Sequence, residues 1–289
     1  MNKALDRIQS ALNYQSTGKW NPQFRNSGSG MMGTTGYLIG LCGGIHIGMV
    51  SMILLVYMAG LLDQEMPALL VNLLHWSTYV ALLCTFHFLE FFSTAIWQPK
   101  VLSYDSFIVN HSQNYTIAVI ASAVEYWLED YLFPNMKHNP CAAWVGLTVV
   151  LAGQAIRTAA MWTCKENFAH QIMHQRIEGH QLVTHGIYKY LRHPSYFGWF
   201  YWSVGTQVLL CNPISVVLYA YASWSFFNSR IPYEEETLVQ FYAQEYIDYC
   251  RGTAIGIPFV TSAIPCTSSS GSVSSSGNRG YQEVHRENS

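Results

Sequence analysis

Long apolar stretches separated by short polar connections dominate the chain. Each stretch is long enough to cross much or all of the ~30 Å hydrocarbon core of a bilayer as an α-helix. The stretches cover residues 34–60, 67–97, 115–133, 140–164, 195–211 and 213–229. The pattern therefore predicts an all-α, polytopic integral membrane protein.

The number of crossings depends on how two of the stretches fold. Residues 34–60 and 67–97 are each longer than one perpendicular helix needs, so each could be a tilted helix or a tight hairpin. Asn212-Pro213 breaks the last two stretches and predicts a hairpin between them. We expect six to eight transmembrane helices, with eight favoured.

Composition and charge set the orientation of these helices. Half of the residues are hydrophobic and only 11% are charged, against about 25% in soluble domains. Basic residues concentrate in the leader, in residues 165–192 and after Arg230, whereas the connection at 61–66 is acidic. By the positive-inside rule, the leader, the 165–192 loop and the C-terminus face the cytosol.

Four segments follow from this organisation. Residues 1–30 form a cytosolic leader without the pattern of a cleaved signal peptide, and residues 31–164 form the N-terminal transmembrane helices. Residues 165–260 form a catalytic region with cofactor-binding loops and the terminal hairpin. Residues 261–289 are rich in Ser and Gly without apolar periodicity, which predicts a disordered tail.

Most of the polar functionality lies in the region 165–260. A loop rich in His and Gln spans 167–186, Arg192-His193-Pro194 opens one helix, and Arg230 with Glu234-Glu235 closes the next. A hairpin returns its far end to the same membrane face, so cationic, imidazole and carboxylate groups converge. We predict a pocket built from cytosolic helix ends and loops.

These motifs resemble those of the isoprenylcysteine carboxyl methyltransferase family, over roughly residues 85–260. The resemblance rests on Asn167-Phe168-x-His170, Leu182-Val183, Gly186, Tyr188, Arg192-His193-Pro194-x-Tyr196-x-Gly198, Trp199-Phe200-Tyr201-Trp202-Ser203, Glu234-Glu235-x-x-Leu238, Glu245-Tyr246 and Pro258. Phospholipid methyltransferases share the Arg-His-Pro and Glu-Glu motifs, and sterol reductases share them in part. The Asn-Phe-x-His and aromatic motifs favour the carboxyl methyltransferases.

The resemblance implies a reaction and a cofactor. A methyl group would move from S-adenosylmethionine to the α-carboxylate of a C-terminal isoprenylcysteine, forming a methyl ester. The implied cofactor-binding residues are His170, Gln171, His180, Gln181, Leu182, Val183, Tyr188, Arg192, His193, Pro194, Ser195, Tyr196 and Glu234.

The chemistry assigns roles to the charged residues. The acceptor carboxylate is ionised near pH 7, so its attack on a methyl group needs no general base. A planar guanidinium matches two carboxylate oxygens, so we expect Arg230 to bind the substrate, with Arg157 in reserve. Arg230, Glu234 and Glu235 are the predicted catalytic residues, with Glu235 supporting the pocket. Alternatively, Arg192 and Glu235 form a structural ion pair between the hairpin ends.

The implied partners are prenylated proteins and membrane lipid. Prenylated cysteines arise at C-terminal C-a-a-X motifs, so small GTPases and lamin-like proteins are the expected substrates. The resemblance implies that the protein resides in the endoplasmic reticulum membrane. We expect neither a nucleic-acid partner nor a metal ion.

Three other classes of protein fit parts of the pattern. A metal-dependent desaturase is suggested by Glu166, His170 and His174, which share a face if that stretch is helical, but no His-His pair occurs. A sterol reductase would use a nicotinamide cofactor, usually in a longer chain. A channel or carrier would carry its charges near the midplane, whereas these crowd one face.

Glycines and glutamates recur at four-residue spacing on the faces of two predicted helices. Close helix packing is predicted for the glycines at four-residue spacing, Gly36, Gly40, Gly44 and Gly48. Glu125 and Glu129 share one face of the 115–133 stretch and serve either the substrate or an aqueous edge.

Overall fold

The computed structural model describes residues 29–61, 66–109, 112–133, 136–176, 179–262 and 264. Within these ranges the chain forms helices and turns without a β-strand, which confirms the all-α class. The α-helices are α1 (Ser29–Met58), α2 (Ala68–Trp97), α3 (Gln113–Leu132), α4 (Pro140–Cys164), α5 (Pro194–Leu209), α6 (Pro213–Tyr242) and α7 (Gln244–Gly252). The leader up to residue 28 and the tail from 265 lie outside the described residues.

Three helical segments are long and apolar enough to cross a membrane by length and composition: Gly30–Met58, Ala68–Trp97 and Pro140–Asn167. The two stretches that allowed hairpins each form one continuous helix, α1 and α2. Neither helix contains a proline that would interrupt its hydrogen bonds.

The predicted hairpin at Asn212-Pro213 is present as α5 and α6. However, α6 does not end near Arg230. It continues through Pro232 to Tyr242, so Arg230 and the glutamates lie within the helix and do not close it. The last part of α6 thus extends well beyond the predicted span 213–229.

Glycines bring α4 and α5 into backbone contact. A Cβ atom added to Gly146 would lie 2.1 Å from the Leu209 amide nitrogen, and one added to Gly153 would lie 2.7 Å from the Gly198 carbonyl oxygen. Gly205 also packs on α4, where an added Cβ would lie 2.9 Å from the Val149 side chain. Small residues allow such approach between membrane helices, and here they fix the start of α5 against α4.

The glycines of α1 behave differently from the prediction. Around Gly40, Gly44 and Gly48, an added Cβ would meet nothing within 4 Å in the described part of the chain, and at Gly36 it would make only an ordinary contact with Phe107. Instead, Gly43 faces α2, where an added Cβ would lie 3.1 Å from the Cys84 Cβ. The helix is therefore rotated away from the face that the spacing predicted.

Two charged groups hold the turn of the α5–α6 hairpin. Glu125 of α3 accepts hydrogen bonds from the amides of Ile214 (2.7 Å) and Ser215 (2.8 Å), which satisfies donors at the N-terminus of α6. Lys137 is fully buried; its Nζ donates to Glu129 and to the Asn212 side chain, both at 2.7 Å. Both glutamates of the α3 face therefore bind structural partners.

Replacing Lys137 by methionine is expected to lower the free energy of unfolding by about 3 kcal/mol or more. Removing one partner of a buried ion pair leaves the other charge uncompensated, here Glu129 together with main-chain carbonyls at the end of α5. Thermal unfolding in detergent measures the effect. Lys189→Met removes an exposed lysine and serves as the control; equal melting temperatures for the two variants would contradict the prediction.

Candidate functional site

A cavity of about 140 Å³ lies where α5 begins and the extension of α6 passes it. The loop between α4 and α5 covers one side, and α7 closes another. Most of the predicted cofactor residues line this cavity: Gln181, Leu182, Val183, Tyr188, Arg192, His193, Pro194, Ser195, Tyr196 and Glu234.

Local sequence explains how these side chains reach the cavity. Pro194 occupies the first turn of α5, where its missing N–H costs no helical hydrogen bond, so the Arg-His-Pro motif lies at the helix entry. Tyr196 lies two residues further on, in the same turn, and its hydroxyl donates to Glu234 Oε2 of α6 at 2.6 Å. The two helices of the hairpin are thus joined at the cavity wall.

Several lining residues were not predicted as ligand-binding residues. These are Cys164, Asn167, Phe168, Ala169, Leu238, Tyr242, Tyr246 and Tyr249. Glu234, Leu238 and Tyr242 are spaced four residues apart and therefore share one face of α6. This spacing is visible in the sequence, but it indicates a shared face only if α6 continues past Arg230.

Arg192 and Glu235 form the ion pair considered as an alternative. The Arg192 Nε donates to Glu235 Oε1 at 2.6 Å, and His193 Nε2 lies 3.2 Å from the same oxygen. Ser262 donates to the other carboxylate oxygen, so chain beyond the predicted boundary at 260 contacts the pair. Glu235 is fully buried and supports the cavity wall from behind.

The environment of Glu235 predicts a pH dependence. Burial raises its pKa, but hydrogen bonds from His193 and Ser262 and the charge of Arg192 outweigh burial and lower the pKa to about 2. Because the folded-state pKa lies below the usual 4.5, this carboxylate stabilises the fold above pH 4.5, and the stabilisation is lost as pH falls towards 2. Thermal unfolding between pH 6 and 3 should show a smaller acid-induced loss for Glu235→Gln than for wild type; identical slopes would contradict the expectation.

Arg230 lies beside the cavity on α6 and is only half-buried. Its Nε donates to the Tyr196 hydroxyl at 2.8 Å, and its Nη2 donates to the main-chain oxygen of His170 at 2.7 Å. Within the described ranges it forms no ion pair with a carboxylate, and its Nη1 makes no hydrogen bond. One arm of the guanidinium is therefore available to a ligand.

Arg157 lies elsewhere, in α4, and is largely buried. It forms a two-pronged ion pair with Glu90 of α2 (Nε–Oε1 2.5 Å, Nη2–Oε2 2.9 Å). Its Nη1 donates to the Ser195 hydroxyl at 2.9 Å. Arg157 thus does not line the cavity.

The remaining predicted cofactor residues are outside the cavity lining. His170 Nε2 lies 3.0 Å from Glu90 Oε2, Gln171 is exposed and His180 is half-buried. A 3₁₀ turn covers Lys165–Asn167 and the chain after it is irregular, so His170 and His174 do not share a helical face. Among the described residues there is no group of three or more side chains that could hold a metal ion.

The cavity has the polar groups that a charged, partly aromatic ligand needs. The buried Tyr246 hydroxyl has no hydrogen-bond partner in the described structure. Burial raises the pKa of the Tyr188 hydroxyl, which is neutral at pH 7. Glu234 supplies a carboxylate, and tyrosine rings can contact a ligand cation through their faces. These residues fit a cationic cofactor with an aromatic ring.

The fold and the site define a helical membrane protein with a small-molecule cavity at one end of its last hairpin. Residues 144–240 match the isoprenylcysteine carboxyl methyltransferase (ICMT) family. A protein-S-isoprenylcysteine O-methyltransferase of Saccharomyces cerevisiae is 33% identical over 232 residues, which cover 78% of this chain and 90% of the relative. The chain belongs to the isoprenylcysteine carboxyl methyltransferase family.

Other relatives agree with this assignment. Proteins of the same name from Tribolium castaneum and Homo sapiens are each 44% identical, over 65% and 64% of this chain. The matched segments cover 67% and 66% of those relatives, about two thirds of their length. The solved structure of a eukaryotic intramembrane Ras methyltransferase, ICMT, aligns with a TM-score of 0.65 and 33% identity, covering 89% of this chain and 93% of that one.

Proposed function

We propose that the protein is an S-adenosylmethionine-dependent protein-S-isoprenylcysteine O-methyltransferase. The reaction would convert the α-carboxylate of a C-terminal isoprenylcysteine on a processed C-a-a-X protein into a methyl ester. The observation that carries the proposal is the guanidinium of Arg230, which forms no direct ion pair in the described structure, beside a cavity suited to a cationic cofactor. The names of the matched relatives support a carboxylate acceptor over a phospholipid or a sterol.

In this proposal Arg230 binds the acceptor carboxylate. Its two hydrogen-bond partners, the Tyr196 hydroxyl and the His170 carbonyl, are neutral, and the Glu234 carboxylate is separated from it by the Tyr196 hydroxyl, so within the described residues no direct ion pair competes with an incoming anion. The planar guanidinium also fixes the orientation of the carboxylate. Positioning and partial desolvation of an already ionised nucleophile are then the main tasks of the enzyme.

The cavity residues bind the cofactor. S-adenosylmethionine supplies an electrophilic methyl group on a sulfonium when bound. The Glu234 carboxylate and the tyrosine faces favour its positive charges, and the hydroxyls of Tyr188 and Tyr246 supply donors. Tyr196 contacts both Arg230 and Glu234, and it therefore connects the residue proposed to bind the acceptor with a residue proposed to bind the cofactor.

The family and the helices support a proposal for the setting of the enzyme. We propose a multi-pass protein of the endoplasmic reticulum membrane, with the site and both termini cytosolic. Of the six to eight predicted crossings, the folding of α1 and α2 as single helices supports the lower number. Prenylated small GTPases and lamin-like proteins are the proposed substrates, and their prenyl chains would enter from the lipid.

A methyl-transfer assay tests the proposal. Purified protein in detergent is incubated with methyl-labelled S-adenosylmethionine and N-acetyl-S-farnesylcysteine, and base-labile methyl ester is measured. Ester formation supports the proposal. Cofactor binding without ester formation would refute the acceptor and lead to a test of phospholipid amines; absence of cofactor binding would refute the methyltransferase and favour a reductase.

A further inference from the structure

Glu90 is a charged residue inside an otherwise apolar helix. Its side chain is 1% exposed, and it lies in the candidate membrane span α2. A carboxylate at such a position is costly unless it is paired and hydrogen-bonded. It is therefore a candidate for a functional role, and it lies far in sequence from the Arg-His-Pro and Glu-Glu motifs.

The partners of Glu90 leave its two oxygens in fixed directions. Arg157 binds both oxygens, and because Arg157 is itself held to Ser195 at the start of α5, the carboxylate cannot rotate freely. One oxygen, Oε2, also lies 3.0 Å from His170 Nε2. Glu90 thus connects α2, α4 and α5 to the loop that covers the cavity.

His170 contacts both Glu90 and Arg230, the residue proposed to bind the acceptor carboxylate. The main-chain oxygen of His170 accepts the hydrogen bond of Arg230 Nη2 at 2.7 Å. Fixing the His170 ring against Glu90 therefore fixes the carbonyl that orients Arg230. A single run of contacts joins Arg157, Glu90, His170 and Arg230, and in the described structure Arg230, at its end, forms no direct ion pair with a carboxylate.

We propose that Glu90 is a positioning residue that orients Arg230 through His170. This inference rests on the proposed function, because it assigns Arg230 to the acceptor carboxylate. A buried ion pair is often no more stabilising than well-packed apolar residues, so stability alone does not explain Glu90. The contacts of Glu90 account for its presence, because they fix the position of the Arg230 guanidinium.

The test uses Glu90→Gln, His170→Ala and the double variant of the full chain. Each single variant is expected to raise the KM for N-acetyl-S-farnesylcysteine about tenfold, with the KM for S-adenosylmethionine changed less than about threefold. Because both residues act through one contact, the double variant should also show about tenfold and not a hundredfold. Glu90→Asp, which keeps the charge, should restore part of the loss.

Glu129→Gln is the matched control, since it removes a carboxylate from another buried ion pair, with Lys137. It should lower the melting temperature and leave the ratio of the two KM values unchanged. If the role of Glu90 were merely structural, Glu90→Gln would likewise lower the melting temperature and leave the ratio of the two KM values unchanged. If Glu90→Gln does not fold, His170→Ala decides, because it leaves the Glu90–Arg157 pair intact.

The two proposals fail in distinguishable ways. An inactive wild type refutes the proposed function. An active wild type whose acceptor KM changes less than about twofold in His170→Ala, or in a folded Glu90→Gln, refutes the role of Glu90. A loss confined to S-adenosylmethionine binding in His170→Ala would also refute it and would make His170 a cofactor ligand.

Discussion

Arg230→Ala is expected to lower kcat/KM for the prenylated acceptor by about a hundredfold or more. Truncating one partner of a hydrogen-bonded charge pair costs roughly 2–5 kcal/mol, and 1.4 kcal/mol corresponds to a factor of ten. Arg230 makes such a pair only with the incoming carboxylate, because its partners in the described structure are neutral. Initial rates of methyl ester formation at varied acceptor concentration measure the loss.

Two further substitutions serve as comparisons for the loss of activity in Arg230→Ala. Arg230→Lys keeps a positive charge but loses the planar fork, so its activity should fall between wild type and the alanine variant. Arg251→Ala removes an exposed arginine paired with Asp248 and should retain wild-type activity. The proposed role is wrong if Arg230→Ala retains its kcat/KM, or if it abolishes binding of S-adenosylmethionine.

Gly146→Ala is expected to destabilise the protein by about 3 kcal/mol or more. The added Cβ would lie 2.1 Å from the amide nitrogen and 2.5 Å from the Cα of Leu209. These are backbone atoms, so no side chain can rotate away, and α4 and α5 must separate. Overpacking of a well-packed interior typically costs about 1–3 kcal/mol and occasionally more. Thermal unfolding in detergent measures the change.

Gly40→Ala makes the same chemical change where there is room. An added Cβ at Gly40 meets nothing within 4 Å in the described chain, and alanine favours a helix by about 1 kcal/mol over glycine. We therefore expect a melting temperature equal to or above that of wild type. A shared decrease in both variants would show that the loss does not come from the α4–α5 contact.

The sequence predicts the helices of this fold better than their packing. Apolar length identifies α1 and α2, and the Asn212-Pro213 break identifies the last hairpin. Which face of α1 packs on α2 does not follow from the sequence, because helix faces in lipid do not differ in polarity as they do in water. The regular spacing of Gly40 and Gly44 therefore suggested the wrong face, and Gly43 makes the contact.

The candidate site is predictable where it is local in sequence. The Arg-His-Pro run and Glu234 meet because a hairpin returns to the same membrane face, and this requires no tertiary information. Glu90 was not recognised, because its importance arises from packing between helices that are distant in sequence. Arg157 is the reserve candidate for the substrate carboxylate, but its ion pair with Glu90 depends on how α2 packs on α4.

Glu125 has a consequence for how the protein is made. The first amides of α6 are satisfied by a carboxylate on α3, a helix that is synthesised earlier. Amides at a helix N-terminus need partners outside the helix, so the last hairpin is more stable beside an α3 that is already in place. A fragment translated from residue 190 onward would carry the Arg-His-Pro and Glu-Glu motifs and still lack the carboxylate that satisfies the first amides of α6.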